Sequence, residues 1–312
     1  LAVAMAIDEA NRSGGYRGLP FRLVPGWSEN PWSTGVSLVA RMAYEHNAWA
    51  VIGGIDGPST HLAEQVAAKA RLTLISPAST DRTVNMANVP WMFSSLPGDH
   101  LLAPAVAETM MRQMGNAPFA LLAATDHDSH RFLVEFEKRI TRSGAAPVCR
   151  FEFRPDTGDR AELVRRVLAA RPVGIVVIAG ARPSARWVKD LRTSGFTGRI
   201  FGGPSMGRRA FGDELGGNDP AVFFPRVGIP SPEADSFAEA FRQHHGIHPD
   251  FVARYAYESA RLLVEAVRRA GLNRARIRDA VRELSPWRGA AATIEWDPLG
   301  QNLRWPPGGV QR

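Results

Sequence analysis

The feature that most constrains the fold is a regular alternation of short, uninterrupted apolar runs with amphipathic segments. The runs include "AWAVIGGI", "LTLISPA", "FALLAAT" and "GIVVIAG", and segments such as "STHLAEQVAAKA" separate them. Strands without polar alternation are typical of parallel sheets that helices cover on both faces. Because crossovers between parallel strands are right-handed, the pattern predicts an α/β protein with doubly wound parallel sheets.

The alternation occurs as two series, with a break near residues 96–99, and therefore predicts two Rossmann-like lobes. The first series includes a predicted strand "LPFRLVPGW", and the chain closes with another, "AAATIEWD". A length of 312 residues also exceeds what one hydrophobic core usually supports. Ligands of such sheets bind beyond the carboxyl ends of the strands, so a small-molecule cleft is expected between the lobes.

Composition excludes several classes of partner. The net charge is +7, but segments such as "FLVEFEKRITR" interleave acidic and basic residues, as on a solvated surface. We therefore expect no nucleic-acid partner. The sequence has no run of 18 apolar residues, so no membrane span is expected, and no segment like a secretory leader precedes Leu1.

Two features of the sequence contain reactive residue types, and both are interpreted as structural rather than functional. Cys149, the single cysteine, lies in the apolar run "APVCRFEF" and is expected to be a small core residue. The stretch "TDHDSH" holds two histidines and two aspartates, which metals can use. A strand-to-loop turn does not aim them at one point, so we expect a polar loop. We predict no metal site and no cofactor.

Several segments together resemble the leucine/isoleucine/valine-binding protein family, the type I periplasmic-binding-fold receptors of ABC transporters. They are "AIDEANRSGG", "WAVIGGIDGPSTHLAEQVAAKARLTLISPASTDRTV", "FSSLPGDH", "ATDHDSH", "GFTGRIFGGPSM", "RYAYESARLLVEAV" and "GAAATIEWDPLGQ". They occur in the family's order and at roughly its spacing. The resemblance covers nearly the whole chain.

The resemblance implies two discontinuous lobes that close about three hinges near residues 97, 228 and 288. Lobe one would comprise 1–97 and 228–287, and lobe two 98–227 and 288–312. Family members open with a strand that precedes the first helix, whereas Leu1 begins within that helix, so a gap is expected in the sheet of lobe one.

The implied function is extracytoplasmic or periplasmic solute binding without catalysis. The protein would be a monomer that binds an amino acid, carboxylate or amide and presents it to a transporter permease. An alternative is a ligand-sensing regulatory domain of the same fold. The chain contains no DNA-binding helix-turn-helix, which counts against a repressor core.

In lobe one, candidate ligand contacts follow the predicted strands. A helix that starts near Gly57 and Ser59 favours an anion, although Ser59 is equally interpreted as a helix N-cap. In the family, the positions that match Ala78 and Thr80 hold the ligand's carboxylate and ammonium groups, with Ser79 between them. Three aromatic residues are further candidates, since they can stack on a ligand or reach the cleft: Trp27, Trp32 and Tyr255.

Lobe two departs from the family pattern. Ser129 stands where a tyrosine is usual, Ala181 where an aromatic residue is frequent, and Ser205 where the branched-chain amino-acid receptors grip the ammonium with an acidic residue. A buried ammonium without a carboxylate is strongly disfavoured, which argues against an ordinary α-amino acid. The remaining candidates are acids that substitute for the missing one, or an arginine that pairs with an acidic ligand: Asp126, Asp128, Asp56 and Arg182.

A competing interpretation is a serine hydrolase. Gly203 to Gly207 match the G-x-S-x-G nucleophile elbow with Ser205 at its centre. The elbow needs a helix that begins at once, whereas "RRAFGDELGG" predicts a short, broken one. The available acids and bases are Asp213, Asp235, His244, His245 and His248. We expect Ser205 to be a ligand hydrogen-bonding residue.

Overall fold

The computed structural model describes residues 1–28, 34–156, 158, 160–228, 231–304 and 310–311. The chain forms two compact units. Unit 1 comprises Leu1–Gly98 and Gly228–Arg304, and unit 2 comprises Asp99–Val227 and Trp305–Arg312. The third division therefore lies at residue 304 rather than at the expected 288. Across these described ranges, no helix combines the length and apolarity needed to span a membrane.

Unit 1 contains a four-stranded sheet with helices around it. Its helices are α1 (Ala2–Arg12), α2 (Val36–Tyr44), α3 (Gly57–Ala70), α4 (Arg82–Met86), α10 (Pro232–His245), α11 (Phe251–Ala270) and α12 (Arg274–Glu283). Its strands are β1 (Ala50–Ile52), β2 (Thr73–Ser76), β3 (Met92–Pro97), β9 (Trp287–Arg288), β10 (Thr293–Ile294) and β11 (Gln301–Asn302). The sheet order is β1-β2-β3-β11, with every pairing parallel, and β9 and β10 form a separate antiparallel pair.

The predicted strand "LPFRLVPGW" is wrong, because its described residues join no ladder of the sheet. The Asn11 side chain instead binds both backbone groups of Phe21, accepting from the amide at 2.7 Å and donating to the carbonyl at 3.0 Å. Gly26 lies against the side chains of Leu38 and Met42. Within the described ranges β1 is an edge strand, although its apolar sequence is typical of a sheet interior.

Residues 288–304 belong to unit 1 because side-chain amides tie them to β3. Gln301 Nε2 donates to the Leu96 carbonyl at 2.7 Å, and Asn302 Nδ2 donates to the Ser95 carbonyl at 2.6 Å. The segment before them bends around a buried carboxylate, since Glu258 accepts from Ala291 N at 2.7 Å. The predicted strand "AAATIEWD" is accordingly only two residues long.

Unit 2 contains a six-stranded sheet of order β12-β8-β7-β6-β4-β5, in which only the β12 pairing is antiparallel. Its strands are β4 (Phe119–Ala124), β5 (Cys149–Phe153), β6 (Gly174–Ile178), β7 (Arg199–Gly202), β8 (Val222–Pro225) and β12 (Val310–Gln311). Its helices are α5 (Asp99–Met114), α6 (His127–Arg142), α7 (Ala161–Ala169), α8 (Ala181–Thr193) and α9 (Arg209–Leu215), with a short 3₁₀ helix at Pro204–Gly207.

The apolar runs of β4 and β6 are fully buried, as the absence of polar alternation predicts. Trp187 of α8 is completely enclosed in the unit 2 core and packs against Phe153 with ring centroids 4.8 Å apart. Cys149 is half-buried against the same core, and its burial raises the pKa of the thiol. This placement agrees with a packing role for the cysteine.

Candidate functional site

The carboxyl ends of β1 and β2 lie at the same edge of the unit 1 sheet, because the two strands are parallel and in register. Five of the predicted contacts follow these strand ends. Gly57 and Ser59 come after β1, and Ala78, Ser79 and Thr80 come after β2. The structure therefore brings together two loops that helix α3 and strand β2 separate in the chain.

The loop after β1 is a closed helix cap rather than an anion site. Asp56, not Ser59, is the N-cap of α3, and its carboxylate accepts from Ser59 N at 2.8 Å. The Ser59 hydroxyl in turn accepts from the Ile55 and Asp56 amides. Gly54 has a φ of +80° and lies so close to Thr60 that a Cβ would collide with it. A carboxylate thus already occupies the helix N-terminus that begins at Gly57.

The turn after β2 differs, because some of its hydrogen-bond donors have no partner among the described residues. The Ser76 hydroxyl donates to the Gly54 carbonyl at 2.6 Å and accepts from Ser79 N at 3.2 Å. Buried Ser79 accepts from Asp81 N, so its hydroxyl supports the turn from inside. Ala78 and Thr80 are half-buried, and their amides and the Thr80 hydroxyl bond to no described residue. These three donors suit a carboxylate.

Behind this turn lies an ionisable cluster that the sequence analysis missed. His61 of α3 places Nε2 3.3 Å from Asp81 Oδ2 and Nδ1 3.8 Å from Glu64 Oε2. Hydrogen bonds to Asp81 and then to Glu64 outweigh burial and raise the pKa of His61 to about 9. The spacing of His61 and Glu64 on one helix face was a visible signal, but the pairing with Asp81 depends on how α3 packs beside the turn.

In unit 2, Asp126 and Ser129, which follow β4, form hydrogen bonds with each other. Asp126 is the N-cap of α6, and its carboxylate accepts from Ser129 N at 3.0 Å and from the Ser129 hydroxyl at 2.8 Å. Ser129 is 5% exposed. Both were predicted as ligand contacts, and here they cap a helix.

The loop after β6 opens a helix without a side-chain cap. Gly180 is the N-cap of α8, and the amides of Ala181 and Arg182 bond to no described residue. Arg182 is exposed, and its charge helps to lower the pKa of Glu214, for which Arg186 is the main cause. A helix N-terminus with a nearby arginine is an electropositive environment.

Ser205 does not have the surroundings of a catalytic nucleophile. Its hydroxyl donates to the Ala179 carbonyl at 2.5 Å rather than to a histidine, and it lies in the 3₁₀ helix. The candidate acid Asp213 pairs with Arg209 at 2.7 Å. Asp235 and the histidines at 244, 245 and 248 belong to unit 1. The elbow interpretation is not supported.

The aromatic candidates differ in exposure. Trp27 is 74% exposed, as a stacking residue would be. Tyr255 is buried instead, and its burial raises the pKa of the phenol well above the usual range, so the prediction that it faces a ligand is not supported. Trp32 lies outside the described residues.

Known proteins resemble this chain both as a sequence family and in fold. A family model described as periplasmic binding protein matches residues 1–303, whereas no curated protein sequence matches the chain. The solved structure of the branched-chain amino-acid receptor LivJ from Streptococcus pneumoniae, in complex with isoleucine, is similar at a TM-score of 0.89 and 19% identity. That match covers 100% of this chain and 91% of LivJ.

Two further structures are similar. An ABC-transporter substrate-binding protein from Desulfitobacterium hafniense, in complex with leucine, matches at a TM-score of 0.82 and 23% identity over 97% of this chain and 89% of its own. A solute-binding protein of an ABC transporter from Rhodopseudomonas palustris, in complex with 3,4-dihydroxybenzoic acid, is also similar. Its TM-score is 0.80 and its sequence identity 17%, and the match covers 96% of this chain and 85% of that protein. All three share the fold.

Proposed function

The chain belongs to the periplasmic binding protein family, and from that premise we propose that it captures a small carboxylate-bearing solute and presents it to an ABC-transporter permease. It acts outside the cytoplasm, as a monomer, and performs no chemical step. The observation that carries the proposal is the turn after β2, where the Ala78 amide, the Thr80 amide and the Thr80 hydroxyl have no partner among the described residues.

A carboxylate satisfies these donors better than a neutral group does. Hydrogen bonds to a charged acceptor are shorter and about twice as strong as those between neutral groups. Half-buried donors can bond to water when no ligand is present, so a ligand gains the difference between its own hydrogen bonds and those of the water it replaces. Isoleucine and 3,4-dihydroxybenzoic acid, the solutes bound in two of the similar structures, both carry a carboxyl group.

Three loops of unit 2, those after β6, β7 and β8, favour a ligand without an ammonium group. The sequences after β6, β7 and β8 are "AGARPS", "GPSMGRR" and "RVG", which contain four arginines and no acidic residue. Asp126 already accepts two hydrogen bonds from Ser129. It is therefore a poor substitute for the family's acidic residue, whose position Ser205 occupies here. Aromatic carboxylates and short dicarboxylates therefore fit better than zwitterionic amino acids.

The test is thermal unfolding of ligand-stripped protein, confirmed by calorimetric titration, against a matched panel. The panel contains 3,4-dihydroxybenzoate, benzoate, benzamide, succinate, L-leucine and L-isoleucine. A ligand at 100-fold its dissociation constant adds about 2.7 kcal/mol, and each kcal/mol raises the midpoint by roughly 2–4 °C. We expect benzoates or succinate to stabilise the protein and benzamide to have no effect. Equal stabilisation by benzamide, or none by any carboxylate, would contradict the proposal.

A further inference from the structure

His61 lies between two buried carboxylates on one side of unit 1. Asp81 and Glu64 have side chains that are 1% and 5% exposed, whereas the imidazole of His61 is 33% exposed. The two ring nitrogens face different acids, Nε2 toward Asp81 and Nδ1 toward Glu64, and Nε2 also lies 3.1 Å from the Thr83 hydroxyl, which itself bonds to Asp81. Glu64 Oε1 has no hydrogen-bond partner among the described residues. The ring thus bridges α3 to the residue at which α4 is capped.

The carboxylate of Asp81 connects His61 to the turn after β2. Asp81 Oδ1 accepts from the Thr83 amide at 2.9 Å and from the Thr83 hydroxyl at 2.6 Å, which fixes the start of α4. The Asp81 amide donates to the Ser79 hydroxyl at 3.3 Å, so the same residue also fixes the turn. A displacement of the Asp81 side chain is therefore transmitted to Ser79 and its neighbours.

Charge gives His61 a second effect on the same turn. Buried carboxylates need a compensating charge, because transfer from water into the protein disfavours an unpaired ion. The raised pKa of His61 keeps the ring protonated at neutral pH, so its charge opposes those of Asp81 and Glu64. A neutral ring would leave more negative charge directly behind the donors of Ala78 and Thr80, where it repels an anionic ligand.

We propose that His61 is a positioning residue for ligand capture: through Asp81 it holds the Ala78–Thr80 turn in its donor geometry and offsets the negative charge behind it. The inference rests on the proposed carboxylate site. His61 itself does not contact the ligand. Its role divides into a hydrogen bond, which any donor of similar reach supplies, and a positive charge, which only the imidazolium supplies.

The experiment compares His61→Ala and His61→Gln with wild type, using benzoate, succinate and L-leucine as calorimetric probes. Gln places an amide donor near the position of Nε2 without the charge. Ligand-free amide hydrogen exchange at Ser79 and Asp81 reports the turn separately. We expect His61→Ala to weaken the best-bound probe by roughly tenfold, within the range of residues that act on a site without contacting its ligand, and to accelerate exchange at both amides.

His61→Gln is expected to restore wild-type exchange and to recover only part of the affinity. The matched control is His46→Ala, an exposed histidine of the same unit whose side chain bonds to no described residue; it should change neither readout. The inference is overturned if His61→Ala binds within twofold of wild type, or if Ser79 and Asp81 exchange at the wild-type rate. If wild type binds none of the probes while exchange still responds to His61, the carboxylate site fails and the positioning of the turn stands.

Discussion

The turn after β2 in unit 1 and the turn after β4 in unit 2 both follow a buried parallel strand and both precede a helix, yet they use their polar groups in opposite ways. After β4, Asp126 and Ser129 satisfy each other. After β2, Asp81 and Ser79 form the framework, while Ala78 and Thr80 keep their donors unused. The same position in a sheet therefore serves helix capping in one unit and a candidate binding turn in the other.

The difference shows why residue type at a strand end is a weak guide to function. Serine, threonine and aspartate occur in both turns, because these residues cap helices and also bind ligands. What separates the two turns is whether each hydrogen-bonding group already has a partner.

Replacing Thr80 with Val removes the hydroxyl donor of the β2 turn and keeps the side-chain shape. Loss of one hydrogen bond to a charged ligand costs roughly 1.5–3 kcal/mol, or about 10- to 150-fold in affinity. Calorimetric titration with the best-bound carboxylate measures it, and the midpoint of unfolding should not change. Ser129→Ala, the counterpart in unit 2, should leave affinity within twofold; an equal loss in both variants would erase the contrast.

The ion pair behind the β2 turn should make stability depend on pH. The folded pKa of His61 is raised to about 9 from 6.5, so its contribution is fully present below about pH 6.5 and is lost as pH rises through 9. Allowing for solvent screening of a partly exposed ring, we expect about 2 kcal/mol between wild type and His61→Gln at pH 6. Urea unfolding should show this gap closing by about pH 10; a constant gap would contradict the assignment.

Asp126→Ala should destabilise unit 2 without affecting capture. Removing an N-cap carboxylate costs about 1 kcal/mol, and the Ser129 amide and hydroxyl both lose their acceptor. Denaturant unfolding measures the stability and titration measures the affinity. Asp126→Asn is the control that retains an acceptor oxygen. A tenfold loss of affinity in Asp126→Ala would instead mark Asp126 as a ligand contact.

Ser205→Ala is expected to have the smallest effect. The variant loses one hydrogen bond to the Ala179 carbonyl, which is worth roughly 0.5–1.5 kcal/mol. Neither wild type nor variant should hydrolyse p-nitrophenyl acetate above the rate in buffer, because the Ser205 hydroxyl donates to the Ala179 carbonyl rather than to a histidine. Ester turnover that disappears in Ser205→Ala would restore the hydrolase interpretation.

Elements that depend on local periodicity were the most predictable from the sequence. The apolar runs predicted β1, β2, β4 and β6, and the helical spacing predicted the helices between them, because side-chain period follows directly from backbone geometry. The family resemblance also identified Ala78 and Thr80 as candidate ligand contacts. Their role as ligand contacts remains a prediction, and their unused donors are what the structure adds to it.

Predictions that depended on partners distant in the chain were less reliable. Residues 19–27 have the sequence of a strand, but a strand needs a neighbour, and Asn11 binds the backbone of Phe21 instead. Ser59 has the residue type of an N-cap, but the N-cap of α3 is Asp56, three residues earlier, and the helix begins at Gly57. Tyr255 lies on a predicted helix, yet only packing decides that the side chain is buried.

The many arginines illustrate the same division. From the sequence they indicate a solvated surface, and many form exposed pairs. Arg274 instead donates to the carbonyls of Ala43, Ala48 and Ala70, so a single guanidinium binds the ends of two helices and a loop. The sequence alone identified most of the strands and helices, because that preference is local, whereas residues 19–27 show that a strand also needs a neighbouring strand. Tertiary structure decided which polar groups meet, as with His61 and Asp81, because each such pair depends on how separate segments pack.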